Sequence, residues 1–304
     1  MVVGRFAPSP TSDLHLGNLR TALLAWLLAR HDTGTFVLRI EDLDQQRVTA
    51  APQVAEHQLA DLASLGIDWD GTVVRQSQRL DLYREAAAGL ETYECFCTRR
   101  EIAEASQAPH GSYRPYPGTC ARLSETERAA RRRQRRAAIR VRAHGAIMTV
   151  HDLHAGPVRG EVDDFVLFRA DGTPAYNLAT VVDDGVQGIT QVCRGDDLLE
   201  SAPRQAWLAD ELGFAPPSYA HVGLAVNRTG ARLAKRDGAV TLRALTSAGV
   251  TRQQAFHAIC ASAALPEADS APELLNAIRG HDWWTTEAIW RPWVVNTRTA
   301  PHRA

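Results

Sequence analysis

Lysine is nearly missing from this 304-residue chain: of 34 lysines and arginines, Lys235 is the only lysine. A sequence that uses guanidinium everywhere else and keeps one ammonium marks a place where a compact point charge is wanted. Long apolar runs are missing too. No stretch is long enough to span a bilayer and no export signal is recognisable, which argues against a helical membrane protein and a secreted disulfide scaffold. The five cysteines are an odd count that fits the same reading, and a cytoplasmic location is expected. An excess charge of one sign is also lacking, the formal net charge being −1, so any RNA contact has to come from local basic patches. There is no low-complexity tract. With 45% hydrophobic residues, the chain has enough apolar content to bury a sizeable core in one large domain or two.

What is present is concentrated at the N-terminus. Val2, Val3 and Phe6 read as a short strand, and Leu19, Leu23, Trp26 and Leu27 then recur at helical spacing, with Leu24 and Leu28 widening the face. Pro8, Pro10 and the Ser12-Asp13 pair between them forbid helix and sheet, which predicts a strand–loop–helix unit. The free N–H groups of such a helix start favour an anion, phosphate above all. His15 precedes Gly17, a residue with no side chain to hold a nucleotide off the backbone.

Thr35-Phe36-Val37-Leu38-Arg39-Ile40 reads as a buried parallel strand ending in Glu41-Asp42-Leu43-Asp44, where ligands bind in open α/β sheets. Amphipathic helices are expected over 50–65 and 77–92, the latter with Leu80, Leu82, Tyr83 and Leu90 as core contacts. Strand, helix, strand, helix in this order indicates an α/β fold with a doubly wound parallel sheet. The pattern breaks at Tyr93. Cys95, Cys97 and Cys120 then fall within one proline-rich insertion, a donor set that suits a structural zinc ion. Generic chemistry would complete it with His110 in preference to Tyr116, imidazole being the commoner zinc ligand. Arg131, Arg132, Arg133, Arg135 and Arg136 make a solvated helix face or a contact to RNA phosphates. Residues 138–142 read as a strand returning to the main sheet. Asp171-Gly172 marks a hairpin between 165–169 and 174–179. A helix is expected over 198–212, with Cys193 before it as a core residue. Residues 241–304 read as short helices in which Trp283, Trp284, Trp290 and Trp293 anchor packing.

The run Arg5-Phe6-Ala7-Pro8-Ser9-Pro10-Thr11 leading into His15-Leu16-Gly17-Asn18 resembles the opening of glutamyl-tRNA synthetases and their short relatives, class I enzymes whose ATP site carries a His-x-Gly-x element. Ser12 stands where that loop usually has glycine, and Asn18 where the element usually ends in histidine. Residues 232–236, Arg-Leu-Ala-Lys-Arg, resemble the mobile Lys-Met-Ser-Lys-Ser loop, with Arg232 and Ala234 departing from it and Lys235 keeping its second lysine. The resemblance implies a Rossmann-type catalytic domain over 1–240, interrupted by a zinc-bearing insertion at about 93–155. It further implies a small helical region over 241–304 and no anticodon-binding domain.

By position it implies catalytic roles for His15 and Lys235, and ATP with Mg2+ held at Pro8, His15, Gly17, Asn18 and Lys235. L-Glutamate would be held at Arg5, Phe6, Ala7, Pro8, Ser9, Glu41, Tyr176 and Arg194. The short relatives carry Cys-x-Cys followed by Tyr-x-x-x-Cys, which implies one zinc ion on Cys95, Cys97, Tyr116 and Cys120. Joining a carboxylate to the α-phosphorus brings two anions together, so fixed positive charge and positioning are what the chemistry requires. The short chain resembles the glutamyl-Q tRNA(Asp) synthetases, which imply glutamate transfer to queuosine in the anticodon of tRNA(Asp). The alternatives are a glutamyl-tRNA synthetase acting on the 3′ end, or a non-catalytic RNA-binding paralogue. A monomer is favoured.

Overall fold

The computed structural model describes residues 1–49, 52–98, 100–102, 115–231, 233 and 240–295. The chain forms two compact units: residues 1–75, 189–199 and 219–304 make the first, and 76–188 with 200–218 the second.

The first unit opens with β1 (Val3–Phe6), α1 (Leu16–Arg30) and β2 (Thr35–Ile40). Next come α2 (Gln45–Thr49), α3 (Val54–Ser64) and β3 (Val74–Arg75). Pro52 and Gln53 lie in the turn before α3, so the expected 50–65 helix starts later than its apolar pattern suggested. The strands β1, β2 and β3 are parallel neighbours, with Val3 beside Thr35 and Arg39 beside Val74. The α/β reading with a parallel sheet is thereby observed. Leu19, Leu23, Leu24 and Leu27 of α1 are at most 1% exposed. This helix is buried on most of its circumference, the expected place for a run this apolar.

The second unit begins at Gln76 with a 3-10 turn and α4 (Leu80–Ala87). Tyr83 and Ala87 are its buried residues; Leu80, Leu82 and Leu90 are only half-buried. Then come β4 (Thr92–Cys95), α5 (Glu125–Arg132), β5 (Ala138–Val141), β6 (Ile147–Asp152), β7 (Gly156–Glu161), β8 (Val166–Phe168) and α6 (Tyr176–Val186). The β5 strand pairs antiparallel with β4 and β8. It therefore does not return to the parallel sheet; its partners close a separate three-stranded sheet around the cysteine-bearing insertion. The Asp171-Gly172 turn forms, with Arg169 N–H donating to the Thr173 carbonyl at 2.9 Å. The second arm is nearly absent, because Tyr176 already starts α6, where Leu178, Val181 and Val182 are buried at helical spacing. Asp183 of α6, itself 0% exposed, accepts from Gln76 Nε2 (2.9 Å), Arg79 Nε (2.7 Å) and the Tyr83 hydroxyl (2.8 Å). That buried carboxylate pins α4 to α6.

The chain returns to the first unit for β9 (Gln191–Gly195), contributes α7 (Ala202–Glu211) to the second, and comes back with β10 (Ser218–Val222) and β11 (Ala225–Val226). The remaining elements are α8 (Leu242–Ser247), α9 (Arg252–Ser262), α10 (Ala271–Ile278), α11 (Glu287–Trp290) and β12 (Trp293–Val294). They share one apolar core with α1, in which Trp283 and Trp290 are buried and Trp284 and Trp293 pack against it. Among the described residues no helix is long and apolar enough to cross a membrane.

Candidate active site

The loop between β1 and α1 is held by its own carbonyls. Pro8 accepts from the Glu41 N–H at 3.0 Å, which ties the loop to the end of β2. Gln58 of α3, 1% exposed, donates its amide nitrogen to the Ser9 carbonyl at 3.1 Å and the Ser12 carbonyl at 2.8 Å. Gln58 was not legible in the sequence, because a glutamine in an amphipathic helix looks like a solvated position. Phe6, the last residue of β1, and Pro8 in the loop are buried, Ala7 is half-buried and Ser9 is exposed.

His15 is the N-cap of α1. Its Nδ1 accepts the Asn18 backbone N–H at 3.2 Å, and Asn18 Oδ1 accepts the His15 N–H at the same distance. Such a reciprocal box fixes the helix start. It also fixes the imidazole: a nitrogen that accepts carries no proton, so Nε2 bears the ring N–H. An imidazole N–H is the kind of donor that an anionic oxygen accepts. Asn18 thus has a structural task that the resemblance did not predict. Gly17 proves necessary for a second reason. A β-carbon there would lie 2.4 Å from the Ala225 β-carbon and 3.0 Å from the His15 ring, so β11 can pack against the helix start only if residue 17 is glycine.

Arg5 is 4% exposed and donates to the Cys193 carbonyl at 3.3 Å, joining β1 to β9 within the first unit. Arg194, also on β9, donates from Nε to Nε2 of His221 at 2.9 Å. Glu41 stands at the end of β2 with Arg39 at 3.7 Å. Tyr176, 41% exposed, starts α6 in the second unit. Lys235, Arg232 and Ala234 lie outside the described residues. On their flanks, Leu233 N–H donates to the Ala225 carbonyl at 3.3 Å, and the Val240 carbonyl accepts from Leu16 N–H at 2.9 Å. His15 and Thr241 form an antiparallel bridge.

In the second unit Cys95, Cys97 and Cys120 bring three sulfurs within 4.8 Å of one another. The Tyr116 hydroxyl lies 3.5 Å from Cys95 Sγ and 3.6 Å from Cys97 Sγ, and it accepts the Cys120 N–H at 2.8 Å. Tyr116 is anchored twice: its backbone N–H donates to Asp163 (2.8 Å), and the Arg140 guanidinium sits 3.7 Å above the ring centroid. Burial pushes the Cys97 thiol up to about 12 and the Tyr116 phenol above its ordinary range. Burial opposes ionisation of Cys120 as well, but the Phe96 N–H and bonds from Tyr116, Cys97 and Cys95 outweigh it and its pKa falls. This donor set can hold a metal ion. His110 lies outside the described residues.

Comparison with known proteins identifies the family. The family model for tRNA synthetases class I (E and Q), catalytic domain, matches residues 1–286. A glutamyl-Q tRNA(Asp) synthetase of Cutibacterium acnes is 58% identical over 276 residues, covering 90% of this chain and 80% of that protein. One of Nocardia farcinica is 56% identical over 268 residues, covering 86% and 85%. Among solved structures, the glutamate-tRNA synthetase of Elizabethkingia anophelis aligns over 97% of this chain and 68% of its own, with a TM-score of 0.76 and 26% identity. The chain belongs to the class I tRNA synthetase family (E and Q), and is a ligase of that family.

Proposed function

We propose that this protein activates L-glutamate with ATP and Mg2+ and transfers the glutamyl group to queuosine in the anticodon of tRNA(Asp). The observation that carries the reading is the identity of 58% and 56% to proteins named for that activity, over 80% and 85% of their own lengths. A glutamate carboxylate oxygen attacks the α-phosphorus of ATP and pyrophosphate leaves. A hydroxyl of the RNA then attacks the acyl carbon, forming an ester and releasing AMP. His15 Nε2–H and the positive end of α1 at Gly17 face the phosphates, and Lys235 supplies a full positive charge. Mg2+ bound with ATP would screen the phosphate charge. Arg5 and Arg194 receive carboxylates and Glu41 the ammonium, with residues 6–9 beside them, and Tyr176 keeps the glutamate role that the family pattern implies. Labelled glutamate is expected on tRNA(Asp) that carries queuosine and not on tRNA(Asp) lacking it, nor on tRNA(Glu). Label that requires the 3′-terminal adenosine would instead establish the 3′ end as the acceptor.

In this reading the thiol cluster binds one structural zinc ion through Cys95, Cys97, Cys120 and Tyr116. Zinc–sulfur bonds of about 2.3 Å separate two ligand sulfurs by roughly 3.8 Å, and a sulfur from an oxygen at about 2.0 Å by roughly 3.5 Å. The 3.5 Å between Cys97 and Cys120 sulfurs and the 3.5 and 3.6 Å from the Tyr116 hydroxyl fit that polyhedron. When bound, the ion would tie β4 to the 116–120 turn and take no part in the reaction. Elemental analysis should find one zinc per chain, lost in Cys95→Ser, Cys97→Ser or Cys120→Ser. Loss should expose the 93–155 region to proteases, because ligand binding and local folding are coupled. Purified protein without zinc rules out the assignment. Full zinc retention by Tyr116→Phe moves the fourth ligand elsewhere.

A further inference from the structure

Arg194 is 5% exposed, and the orientation of its guanidinium is set by specific neighbours. Nε donates to His221 Nε2 at 2.9 Å, and one terminal nitrogen donates to the Leu198 carbonyl at 3.1 Å. The Tyr219 ring centroid lies 5.3 Å from its central carbon. Tyr219 and His221, two apart on β10, project to one side of the strand, and their rings stack at 5.7 Å and 16°. His221 itself is 3% exposed.

A guanidinium can only donate, so His221 Nε2 is the acceptor and the imidazole is neutral, with its proton on Nδ1. The bond occupies the Nε edge of the fork. A carboxylate can be gripped by the Nε edge or by the two terminal nitrogens, and here the first mode is taken by His221. We infer that His221 is a positioning residue: it fixes the rotation of the Arg194 guanidinium and with it the direction from which a glutamate carboxylate is gripped. This rests on the proposed role of Arg194 as a glutamate-binding residue. The energetic reasoning is that a bidentate charge-assisted pair depends steeply on angle, and that a buried Nε–H without an acceptor would turn in search of one.

Two substitutions separate orientation from packing. His221→Phe keeps a ring against Tyr219 and removes the acceptor; His221→Gln returns an amide oxygen at about the position of Nε2. Glutamate binding is read by calorimetry, and KM for glutamate and for ATP by pyrophosphate exchange. The phenylalanine variant should bind glutamate about tenfold more weakly or worse, with kcat and KM for ATP within about twofold of the parent, and the glutamine variant should recover most of the affinity. Parental glutamate affinity in His221→Phe overturns the inference alone, as does an equal loss in both variants, which would mean packing and not orientation. A parental protein that binds no glutamate overturns the reading of Arg194 and this inference with it.

Discussion

Lys235→Ala is expected to lower glutamate-dependent ATP–pyrophosphate exchange by about 100-fold or more, with Lys235→Arg keeping part of the rate. The lone lysine motivates this, in a segment resembling the mobile loop that closes on ATP in class I synthetases. The described residues that bracket it are tied to the helix start bearing His15. Leu233 bonds to Ala225, whose β-carbon packs against Gly17, and Val240 bonds to Leu16. Asn227 accepts at its side-chain oxygen from the Thr229 and Ala231 N–H groups, both at 3.0 Å, which shapes the turn leading into the segment. Negative charge spreads over the phosphate oxygens as the carboxylate attacks, and a cation delivered at that moment lowers the barrier more than it improves ground-state binding. The alanine variant should therefore lose kcat with a smaller change in KM for ATP. Arginine restores charge but not the compact ammonium, hence the partial rescue. Exchange by Lys235→Ala at the parental rate would remove the loop assignment and leave Lys235 an ordinary surface residue.

The parts of the fold that were legible in the sequence are those governed by local rules. Two prolines and a Ser-Asp pair ended β1 and began the loop. The bounds of β2 coincide with its apolar run, Thr35–Ile40. Around residue 171, by contrast, a strong turn signal misled: Asp171-Gly172 does turn, but the residues beyond it obey the helical spacing of Leu178, Val181 and Val182. Strand partners were not legible either, since nothing in residues 138–142 says which sheet they join; β4 and β8 decide that. Least legible were the polar residues that hold other groups in place. Gln58 bonds a loop 46 and 49 positions earlier, and His221 bonds Arg194 at a separation of 27. Each lies within a helix or strand, and its role comes from a partner that only tertiary structure supplies. The cysteine cluster was legible because thiols at Cys-x-Cys spacing have few other uses, whereas Tyr116 as a neighbour depended on the family pattern.

Arg20→Met should destabilise the first unit by about 3 kcal/mol and strip exchange protection from the amides of Gly223, Trp293 and Val295. Arg20 is 1% exposed near the start of the largely apolar α1, and burial pushes its pKa down to about 10, still cationic at neutral pH. It donates to Ser262 Oγ (3.0 Å) and to the carbonyls of Gly223 (2.8 Å), Ala288 (2.8 Å) and Ile289 (3.1 Å). A methionine fills similar volume, so the loss to be measured is mainly that of the acceptors left without a donor. Those acceptors matter because of where they lie. Gly223 N–H donates to Ile289 at 3.1 Å, and a β-carbon on Gly223 would lie 2.0 Å from the Arg291 carbonyl oxygen, so the two backbones are in close contact. Just beyond, β11 and β12 run parallel, with Trp293 N–H bonded to Leu224 and Val295 N–H to Val226. Ala225 in that pair packs against Gly17. One buried guanidinium therefore joins α1, the turn before β11 and the C-terminal strap. Because the chain has two units, a single melting temperature would average over both, and hydrogen exchange at the three amides is the sharper measurement. Arg20→Lys should fall between parent and methionine, since an ammonium cannot reach acceptors spread across a planar fork. Unchanged protection at Trp293 and Val295 in Arg20→Met would mean that apolar packing around Trp283 and Trp290 holds the strap without the guanidinium.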